Sequence, residues 1–499
     1  MLVGFMGAGK STGARSIAAE LGAEALDCDR ELEQRLGEPV ESFFDREGED
    51  AFRAREEETA LELLSRPEAG VIALGGGALA SERVRGALAS HTVVHLEVEA
   101  GEAWRRASGK GRPLARDRGR FDQLHGDRSA SYASVADAVL PPSDRDVLRR
   151  ALPALRALGD APAGTRLVWA SASSGEYPVF LGHGLIGSGF FHPGDGRRMV
   201  VTDENVARAQ PFEGHERIVT MAGEEHKSIH GAEFVLRALA EAGAERGDVV
   251  VAVGGGVVGD LAGFCAAIYQ RGMRHVQVPT TLVAQVDSAY GGKTGVDLPE
   301  GKNYAGAFHQ PSAVLCDPAA LATLPPEELA AGYAEVVKTA LIAGGPLWAR
   351  VRQGGEVDTE VILGCIRTKL AVVAGDERDA GRRQVLNLGH TVGHAIESAT
   401  GYMRYRHGEA VAIGLLAALR LSGRDALRSE VAELLSARAL PAAFSGASVD
   451  DVVELVARDK KSTGGRVPFV LVEAPGQVSP GHEVAPDDLR RAVEEVHAE

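Results

Sequence analysis

The sequence predicts an α/β protein: an N-terminal three-layer α/β/α unit, a second α/β unit, and a mostly helical C-terminal part. Three observations carry that expectation. Short apolar runs alternate with amphipathic segments over residues 1 to about 140, the pattern of a parallel sheet flanked by helices. A second signature of strand, glycine turn and helix start stands at Asp248-Val-Val-Val-Ala-Val-Gly254-Gly-Gly256-Val-Val-Gly259-Asp260. Beyond Pro325-Pro326 the β signals fade, and helical patterns over 327–340, 361–373 and 409–421 dominate.

Taken in order, Met1-Leu-Val3 is a short strand that feeds a glycine-rich segment and a helix starting near Ser11-Thr12. Val71-Ile-Ala-Leu74 and Thr92-Val-Val-His-Leu96 read as buried strands. Pro141-Pro142 breaks the pattern, a helix follows from about Arg145 to Leu158, and Gly159-Asp-Ala-Pro-Ala-Gly164 reads as a linker. The second α/β region starts near Leu167, with strands at Met199-Val-Val-Thr202, Asp248 to Val253 and Val276-Gln-Val278. The expected divisions are residues 1–158, 166–325 and 326–499.

With 499 residues, 44% of them hydrophobic and 25% charged, the chain has ordinary globular composition and length for two to four cores. A net charge of −16 leaves no basic excess for a nucleic-acid surface. No apolar run reaches membrane-spanning length, and the start reads as a strand rather than a signal peptide, so a cytoplasmic location is expected. Cys28, Cys265, Cys316 and Cys365 lack paired spacing, which predicts buried or free thiols.

Gly4-x4-Gly9-Lys10-Ser11 matches the P-loop pattern at every position. Its glycines let backbone N–H groups face phosphates, Lys10 supplies a point charge, and the Ser11 hydroxyl suits Mg²⁺. Three further features accompany it. Asp27-Cys-Asp29 ends the next predicted strand with two carboxylates on one face. Phe44-x3-Gly48-Glu-x2-Phe52-Arg53 places an arginine at a helix start. Gly75-Gly76-Gly77 follows a buried strand. This set resembles shikimate kinase over almost all of residues 1–140. The resemblance implies ATP with Mg²⁺ held by Gly7, Ala8, Gly9, Lys10, Ser11, Thr12 and Asp27. It implies shikimate held by Asp29, Arg53, Gly75, Gly76, Gly77 and Arg128, with the two arginines bracketing a carboxylate. Asp29 would orient or deprotonate the attacking hydroxyl, and Arg112, in Arg112-Pro-Leu114, would reach the transferring phosphate from a lid. Relatives usually carry several more residues before the P-loop.

The C-terminal half is denser still. Gly254, Gly256 and Gly259 satisfy G-x-G-x-x-G, but the best ribose-binding acid, Asp203, precedes them, so the expected fold is a variant of the Rossmann type. Asn387-Leu-Gly-His390-Thr-Val-Gly-His394, then His407-Gly-Glu409, gathers three of the chain's 15 histidines. An i, i+4 pair on one helix face lets two rings converge, which by spacing alone marks His390 and His394 as metal ligands. Lys293 and Lys302 lie in glycine-rich turns, and Glu335 and Lys338 share a helix face. The pattern resembles 3-dehydroquinate synthase from about Arg166 onward, through Gly-Gly-Lys293-Thr-Gly, Gly-Lys302-Asn303, Ala-Glu335-Val-Val-Lys338 and the histidine segment.

That resemblance implies a different metal set, Glu335, His390 and His407 holding Zn²⁺ or Co²⁺, with His394 a hydrogen-bonding residue beside the substrate. It implies NAD⁺ held by Asp203, Asn205, Glu224, Lys227, Gly255, Gly256, Asp260, Thr280, Thr281, Lys293 and Lys302. The phosphorylated sugar acid would meet Asp287, Lys293, Lys302, Asn303, Lys338, Lys369, Arg383, Asn387, His394 and Lys460. Lys293, Lys338 and His394 are the expected catalytic groups, joined by Arg271 reaching from a partner subunit in a homodimer formed through this region. The implied reactions are ATP-dependent phosphorylation of shikimate, and conversion of 3-deoxy-D-arabino-heptulosonate 7-phosphate to 3-dehydroquinate and phosphate by oxidation, elimination, reduction and cyclisation. A related sugar-phosphate cyclase, or one domain kept only as a scaffold, stays open from the residues alone.

Overall fold

The computed structural model describes residues 1–66, 70–109, 112–142, 146–210, 212, 214, 216–462 and 468–498, without the side chains of 113 and 459–462. Arg145 therefore lies outside the described residues, as does the side chain of Lys460. The chain divides into two compact units, Met1–Ala170 with Pro178–Phe180, and Ser171–Tyr177 with Leu181–Glu499.

In the first unit, β1 (Leu2–Val3), α1 (Lys10–Leu21), β2 (Ala25–Asp27), α2 (Cys28–Leu36), α3 (Val40–Ser65) and β3 (Val71–Ala73) come first. They are followed by α4 (Glu82–Ala87), β4 (Val94–Leu96), α5 (Ala100–Ala107), α6 (Arg118–Val135), β5 (Ala138–Leu140), α7 (Val147–Leu158) and β6 (Arg166–Ala172). The strands pair in parallel in the order β2-β3-β1-β4-β5, with β6 beside β5. Two-residue β1 is central, with Leu2 opposite both Ala73 and Val94. It therefore depends on burial for its place, and Leu2 and Val3 are 3% and 1% exposed. Val3, Leu26, Ile72, Leu74, Leu63 and Phe121 lie in its main core, and Leu32, Phe43 and Phe52 form a small separate one.

Two details differ from the sequence reading. Asp27 and Asp29 do not share a strand face: β2 ends at Asp27, whose carboxylate accepts from the N–H groups of Asp29 and Arg30 and starts α2 there. An Asx cap placed at the end of a strand turns the next residues helical, which a period-two reading misses. Helix α3 is broken at Gly48, whose φ of 85° no helix accommodates, so Arg53 sits in the first turns of the second piece.

The second unit begins around β7 (Gly175–Leu181). Its α/β part holds β8 (Arg198–Asp203), α8 (Glu204–Ala209), β9 (Glu216–Thr220), α9 (Ile229–Glu241), β10 (Val249–Gly254), α10 (Gly256–Ile268), β11 (Arg274–Pro279), β12 (Lys293–Leu298), β13 (Gly301–Phe308) and β14 (Ala313–Cys316). Parallel strands run in the order β14-β11-β10-β8-β9, so the connections leave β8 and β10 in opposite directions. Such a switch point opens a crevice at the carboxyl ends of those two strands. Strands β12 and β13 form an antiparallel ribbon, so Lys293 and Lys302 stand at strand starts rather than in turns. The alternation in Lys-Thr-Gly-Val-Asp-Leu is too glycine-rich to read as β from sequence.

Helices then dominate: α11 (Pro326–Ala343), α12 (Gly345–Val351), α13 (Thr359–Gly375), α14 (His390–Ala399), α15 (His407–Leu421), α16 (Asp425–Ser436), α17 (Val449–Ser462) and α18 (Pro486–Glu494). One hairpin, β15 (Phe469–Ala474) and β16 (Gln477–His482), interrupts them and was not visible in the sequence. All four cysteines are buried and unpaired.

Glycines set how closely α11, α14 and α15 approach. A Cβ at Gly408 would fall 1.9 Å from the Ala331 carbonyl oxygen, and one at Gly414 would fall 2.0 Å from that of Gly389. A Cβ at Gly393 would stand 3.0 Å from the Ala410 oxygen. Backbone therefore lies on backbone, and the starts of α14 and α15 meet the middle of α11. Gly414→Ala tests this. Helix propensity alone favours alanine by about 1 kcal/mol, but overpacking against a carbonyl costs roughly 1–3 kcal/mol. The expected result is a lower melting temperature for the second unit; an unchanged or raised one would mean the helices are not held by this contact.

Candidate active sites

In the first unit the loop Gly4 to Gly9 turns back on itself before α1. Gly4, Gly7 and Gly9 have φ of 145°, 85° and 93°. A Cβ at Gly4 would lie 2.4 Å from the Leu96 oxygen, so the loop closes only with glycine there. Lys10 is 9% exposed and donates to the carbonyl oxygens of Gly4 at 2.8 Å and Phe5 at 3.2 Å. Burial lowers its ammonium to about 8, with Asp29 pulling the other way. Ser11 and Thr12 follow in the first turn of α1, and Ala8 caps a turn on Phe5.

Asp29, Arg53, the glycines after β3 and Arg128 surround one spot. A Cβ at Gly75 would meet Glu56 Oε1 at 2.3 Å and Asp29 Oδ1 at 3.2 Å, and one at Gly77 would meet the Arg53 guanidinium at 1.8 Å. Arg128 and the Tyr132 hydroxyl donate to the Gly76 oxygen at 2.9 and 2.6 Å. Arg53 donates to Glu56 at 2.5 Å and Glu49 at 3.2 Å. Burial raises the Asp29 carboxyl, and Lys10 and Arg112 oppose it. Glu56 is 3% exposed and went unnoticed in the sequence; its one signal is its place three residues after Arg53 on an otherwise apolar helix face. Arg112 is exposed just before the 3₁₀ turn Pro113–Ala115.

In the second unit the candidate nucleotide groups gather at the carboxyl ends of β8, β10 and β11. Asp203 ends β8 and caps α8 through the N–H groups of Asn205 and Val206, both at 2.9 Å. Gly255 caps α10, and Cβ atoms at Gly255 and Gly256 would meet Thr281 at 2.8 Å and Ser288 at 3.0 Å. The Thr280 N–H donates to Gly254, while its hydroxyl oxygen is buried without a partner. Lys227, 4% exposed, is a hub: it lies 2.8 Å from Glu224, 3.6 Å from both Asp260 and Asp297, and donates to Asn303 at 3.0 Å. Burial raises the Asp260 carboxyl to about 7 against the pull of Lys227.

Next to them, residues Ala284–Ser288 form a π-helical turn that aims Asp287 at two lysines. Lys338 donates to Asp287 at 2.7 Å, and Lys369 donates to its carboxylate and to its carbonyl oxygen. Burial lowers Lys369 to about 7, helped by Arg383. Lys293 pairs with Asp379. Arg383, 2% exposed, donates to the carbonyl oxygens of Glu377 and Gly291. Asn387 and Asn303 are exposed, the latter with φ of 57°. Arg271 has φ of 68°, is exposed, and makes no hydrogen bond or ion pair with the described residues.

The candidate metal centre lies where α11, α14 and α15 meet. Glu335 is 1% exposed, and its Oε1 stands 3.6 Å from His390 Nε2 and 3.4 Å from His407 Nε2. Ligands about 2.0–2.1 Å from a tetrahedral zinc are about 3.4 Å apart, so this donor set fits such an ion. The His390 Nδ1 faces the Leu388 oxygen at 3.2 Å, which leaves Nε2 for the centre. His394 also has a ring nitrogen within 4.8 Å of the other two histidines, but it is exposed. Burial pushes the His390 imidazole far down, which favours its neutral form. Burial also opposes charge on Glu335, yet Lys338 and the two imidazoles outweigh it and hold the carboxyl well below the usual range.

These two units define a P-loop phosphotransferase and a nucleotide-binding α/β-plus-helical enzyme with a histidine–carboxylate centre. Residues 6–155 match the family model for shikimate kinase, residues 217–331 that for the N-terminal part of 3-dehydroquinate synthase, and residues 332–462 that for its C-terminal part. The chain is 42% identical over 346 residues to the 3-dehydroquinate synthase of Halorhodospira halophila, covering 65% of this chain and 98% of that one. It is 45% identical over 291 residues to that of Gloeobacter violaceus, covering 56% of this chain and 80% of the other. Among solved structures, a 2-epi-5-epi-valiolone synthase from Streptomyces hygroscopicus subsp. jinggangensis, with NAD⁺ and Zn²⁺ bound, has a TM-score of 0.58 at 25% identity, over 66% of this chain and 98% of that one. A 2-deoxy-scyllo-inosose synthase, complexed with carbaglucose-6-phosphate, NAD⁺ and Co²⁺, has a TM-score of 0.58 at 23% identity and shares the fold over 66% of this chain and 99% of that one. The chain belongs to the 3-dehydroquinate synthase family and carries a shikimate kinase domain ahead of it.

One buried carboxylate outside the expected set pins a loop of this site. Glu377, 5% exposed, accepts from the Ser173 hydroxyl, from the Ser174 N–H and hydroxyl, and from Gln310 at 2.8 Å. Burial opposes its charge, but these donors outweigh it and hold the carboxyl at about 2. A depressed carboxyl stabilises the fold above its unfolded value and loses that contribution as pH falls through the folded one. Glu377→Gln is expected to cost roughly 2–3 kcal/mol at pH 7, with the deficit narrowing between about pH 4.5 and pH 2. Urea unfolding at pH 7 and pH 3 measures it, and a deficit independent of pH would assign the loss to shape instead of charge.

Proposed function

We propose how the residues divide the work of this bifunctional shikimate-pathway enzyme, with residues 1–158 forming the kinase part, 166–325 the NAD-binding part and 326–499 the metal- and substrate-binding part. In the kinase, Gly7 to Thr12 would cradle ATP and Asp27 would help hold Mg²⁺. Lys10 would leave its two carbonyls to meet the transferring phosphate, and Arg112 would join it from the segment over the site. Arg53 and Arg128 would take the shikimate carboxylate in guanidinium forks. Asp29, its carboxyl raised by burial, is placed to hold the attacking hydroxyl and accept its proton.

In the synthase, Asp203, Asn205, Glu224, Lys227, Gly255, Gly256, Asp260, Thr280 and Thr281 would hold NAD⁺ at the switch-point crevice. The unpartnered Thr280 hydroxyl supports that reading, since a buried hydroxyl without a partner is costly unless a ligand meets it. Glu335, His390 and His407 would hold zinc or cobalt; together the two groups would supply hydride exchange and polarisation at a secondary alcohol. The cationic groups Lys293, Lys302, Lys338, Lys369 and Arg383, with Asp287, Asn303, Asn387 and Lys460, would orient a substrate bearing phosphate and carboxylate. His394 would stand beside the substrate and move or hold a proton, and Arg271 would serve a partner subunit in a homodimer. The observation that carries the reading is the convergence of His390 Nε2 and His407 Nε2 on Glu335 Oε1. Identity of 42% to a 3-dehydroquinate synthase, against 23% and 25% to the two other cyclases, favours the heptulosonate phosphate as substrate. Incubation with shikimate and ATP, and separately with the heptulosonate phosphate and NAD⁺, followed by product identification, tests both halves.

Two variants divide the roles. Lys10→Ala is expected to abolish shikimate phosphorylation while cyclisation persists; loss of both in a folded chain would rule out independent sites. His407→Ala is expected to lose bound metal, because two ligands rarely retain zinc. His394→Ala is expected to keep it and turn over ~10²-fold more slowly. Metal content after dialysis against a weak chelator decides; zinc kept in the His407 variant and lost in the His394 variant would reverse the assignment.

A further inference from the structure

The ring of His407 is held between two carboxylates. Its Nε2 faces Glu335, and its Nδ1 stands 3.4 Å from Glu397 Oε2. Glu397 is 1% exposed and lies on α14 seven residues after His390, two turns along the same face. Its other oxygen, Oε1, accepts from Lys302 Nζ at 3.0 Å. Lys302 also stands 4.9 Å over the Tyr402 ring, and the Tyr402 N–H donates to the Glu397 carbonyl oxygen at 2.8 Å. One buried anion thus touches the start of α15 and the start of β13, and the main chain of the same residue holds the connection from α14 to α15.

The need for such an anion follows from where His407 sits. His390 has its Nδ1 fixed by a backbone oxygen two residues back, so its tautomer is set locally. His407 begins a helix after the connection over 400–406 and has no such neighbour. A ligating imidazole whose second nitrogen is unfixed rotates and changes tautomer; a carboxylate on that nitrogen stops both and raises the basicity of the ligand.

We propose that Glu397 is a positioning residue for the metal centre: it takes the His407 Nδ1–H, presents Nε2 toward Glu335, and through its second oxygen fixes Lys302 against the same helix. This rests on the metal assignment to Glu335, His390 and His407.

The test compares the full-length chain with Glu397→Gln, which keeps size and loses charge, with Glu397→Ala, and with His407→Ala. Zinc affinity is read by competition with a chromophoric chelator, and the ligand field by the visible spectrum of the Co²⁺-loaded chain. Glu397→Gln is expected to weaken zinc 10–100-fold and to shift the Co²⁺ bands, with circular dichroism unchanged; His407→Ala is expected to lose zinc. If both Glu397 variants keep wild-type affinity within twofold, with an unshifted spectrum, while His407→Ala loses zinc, the positioning role is overturned and the metal assignment stands. If His407→Ala keeps zinc, the metal assignment itself fails and takes the proposal with it. A Glu397→Ala chain that does not fold leaves the isosteric Gln variant to decide.

Discussion

The second unit is arranged around one buried carboxylate. Glu335 has 1% of its surface exposed, in the middle of a helix whose neighbours Ala334, Val336 and Val337 are fully apolar and buried. An anion in that place costs several kcal/mol unless cations and hydrogen-bond donors surround it. Lys338, one turn on, supplies one charge, and its own other partner is Asp287. His390 and His407 supply the remaining contacts, each from the first residue of a helix. That demand explains the glycines. Gly408 lets α15 begin against Ala331, four residues before Glu335, and Gly389, Gly393 and Gly414 let α14 and α15 touch along their backbones. With side chains at those positions, two imidazoles could not reach a carboxylate on a third helix.

The first unit answers a similar demand by keeping its charges mutually occupied. Lys10 rests on two carbonyl oxygens, Arg53 on two glutamates, and Arg128 on the Gly76 carbonyl. On the proposed reading, a phosphate or carboxylate entering there would exchange partners with cations already held in place by the protein. Glu56 belongs to the same arrangement: it neutralises Arg53, and burial pushes its own carboxyl up against the pull of that guanidinium.

Much of this was legible in the sequence because function needed glycine, lysine or histidine at fixed spacing beside strong β runs. The P-loop, the turn after β10 and the apolar strands all announced themselves through Gly4, Gly9, Gly254 and the valines of 249–253. What stayed hidden depended on contacts between segments far apart. Glu56, Glu377 and Glu397 are acidic residues on helices or loops, and sequence assigns such residues to solvent. Their burial follows from Arg53, from the Ser173-Ser174 turn and from Lys302, the last two 204 and 95 residues away from their acids. The β12–β13 ribbon was missed for a related reason: Gly295 pairs with Gly306, where a Cβ would meet the Thr294 carbonyl oxygen at 2.5 Å, and the same glycines erase the β-propensity signal.

The histidines show where spacing reasoning stops. All three rings lie within one contact of each other, with centroids 5.2 Å apart for His390 and His394, 5.2 Å for His390 and His407, and 5.8 Å for His394 and His407. Ring proximity therefore favours no pair. Ligation depends on lone pairs, and a lone pair is directed by what holds the opposite nitrogen. His390 has Leu388 behind it and His407 has Glu397 behind it, and in both the Nε2 then faces Glu335. The i, i+4 rule places His394 on the same face of α14 as His390 and takes no account of which way either ring is turned. On the proposed assignment, His390 and His407, 17 residues apart, are the pair whose rings are fixed from behind with Nε2 toward Glu335.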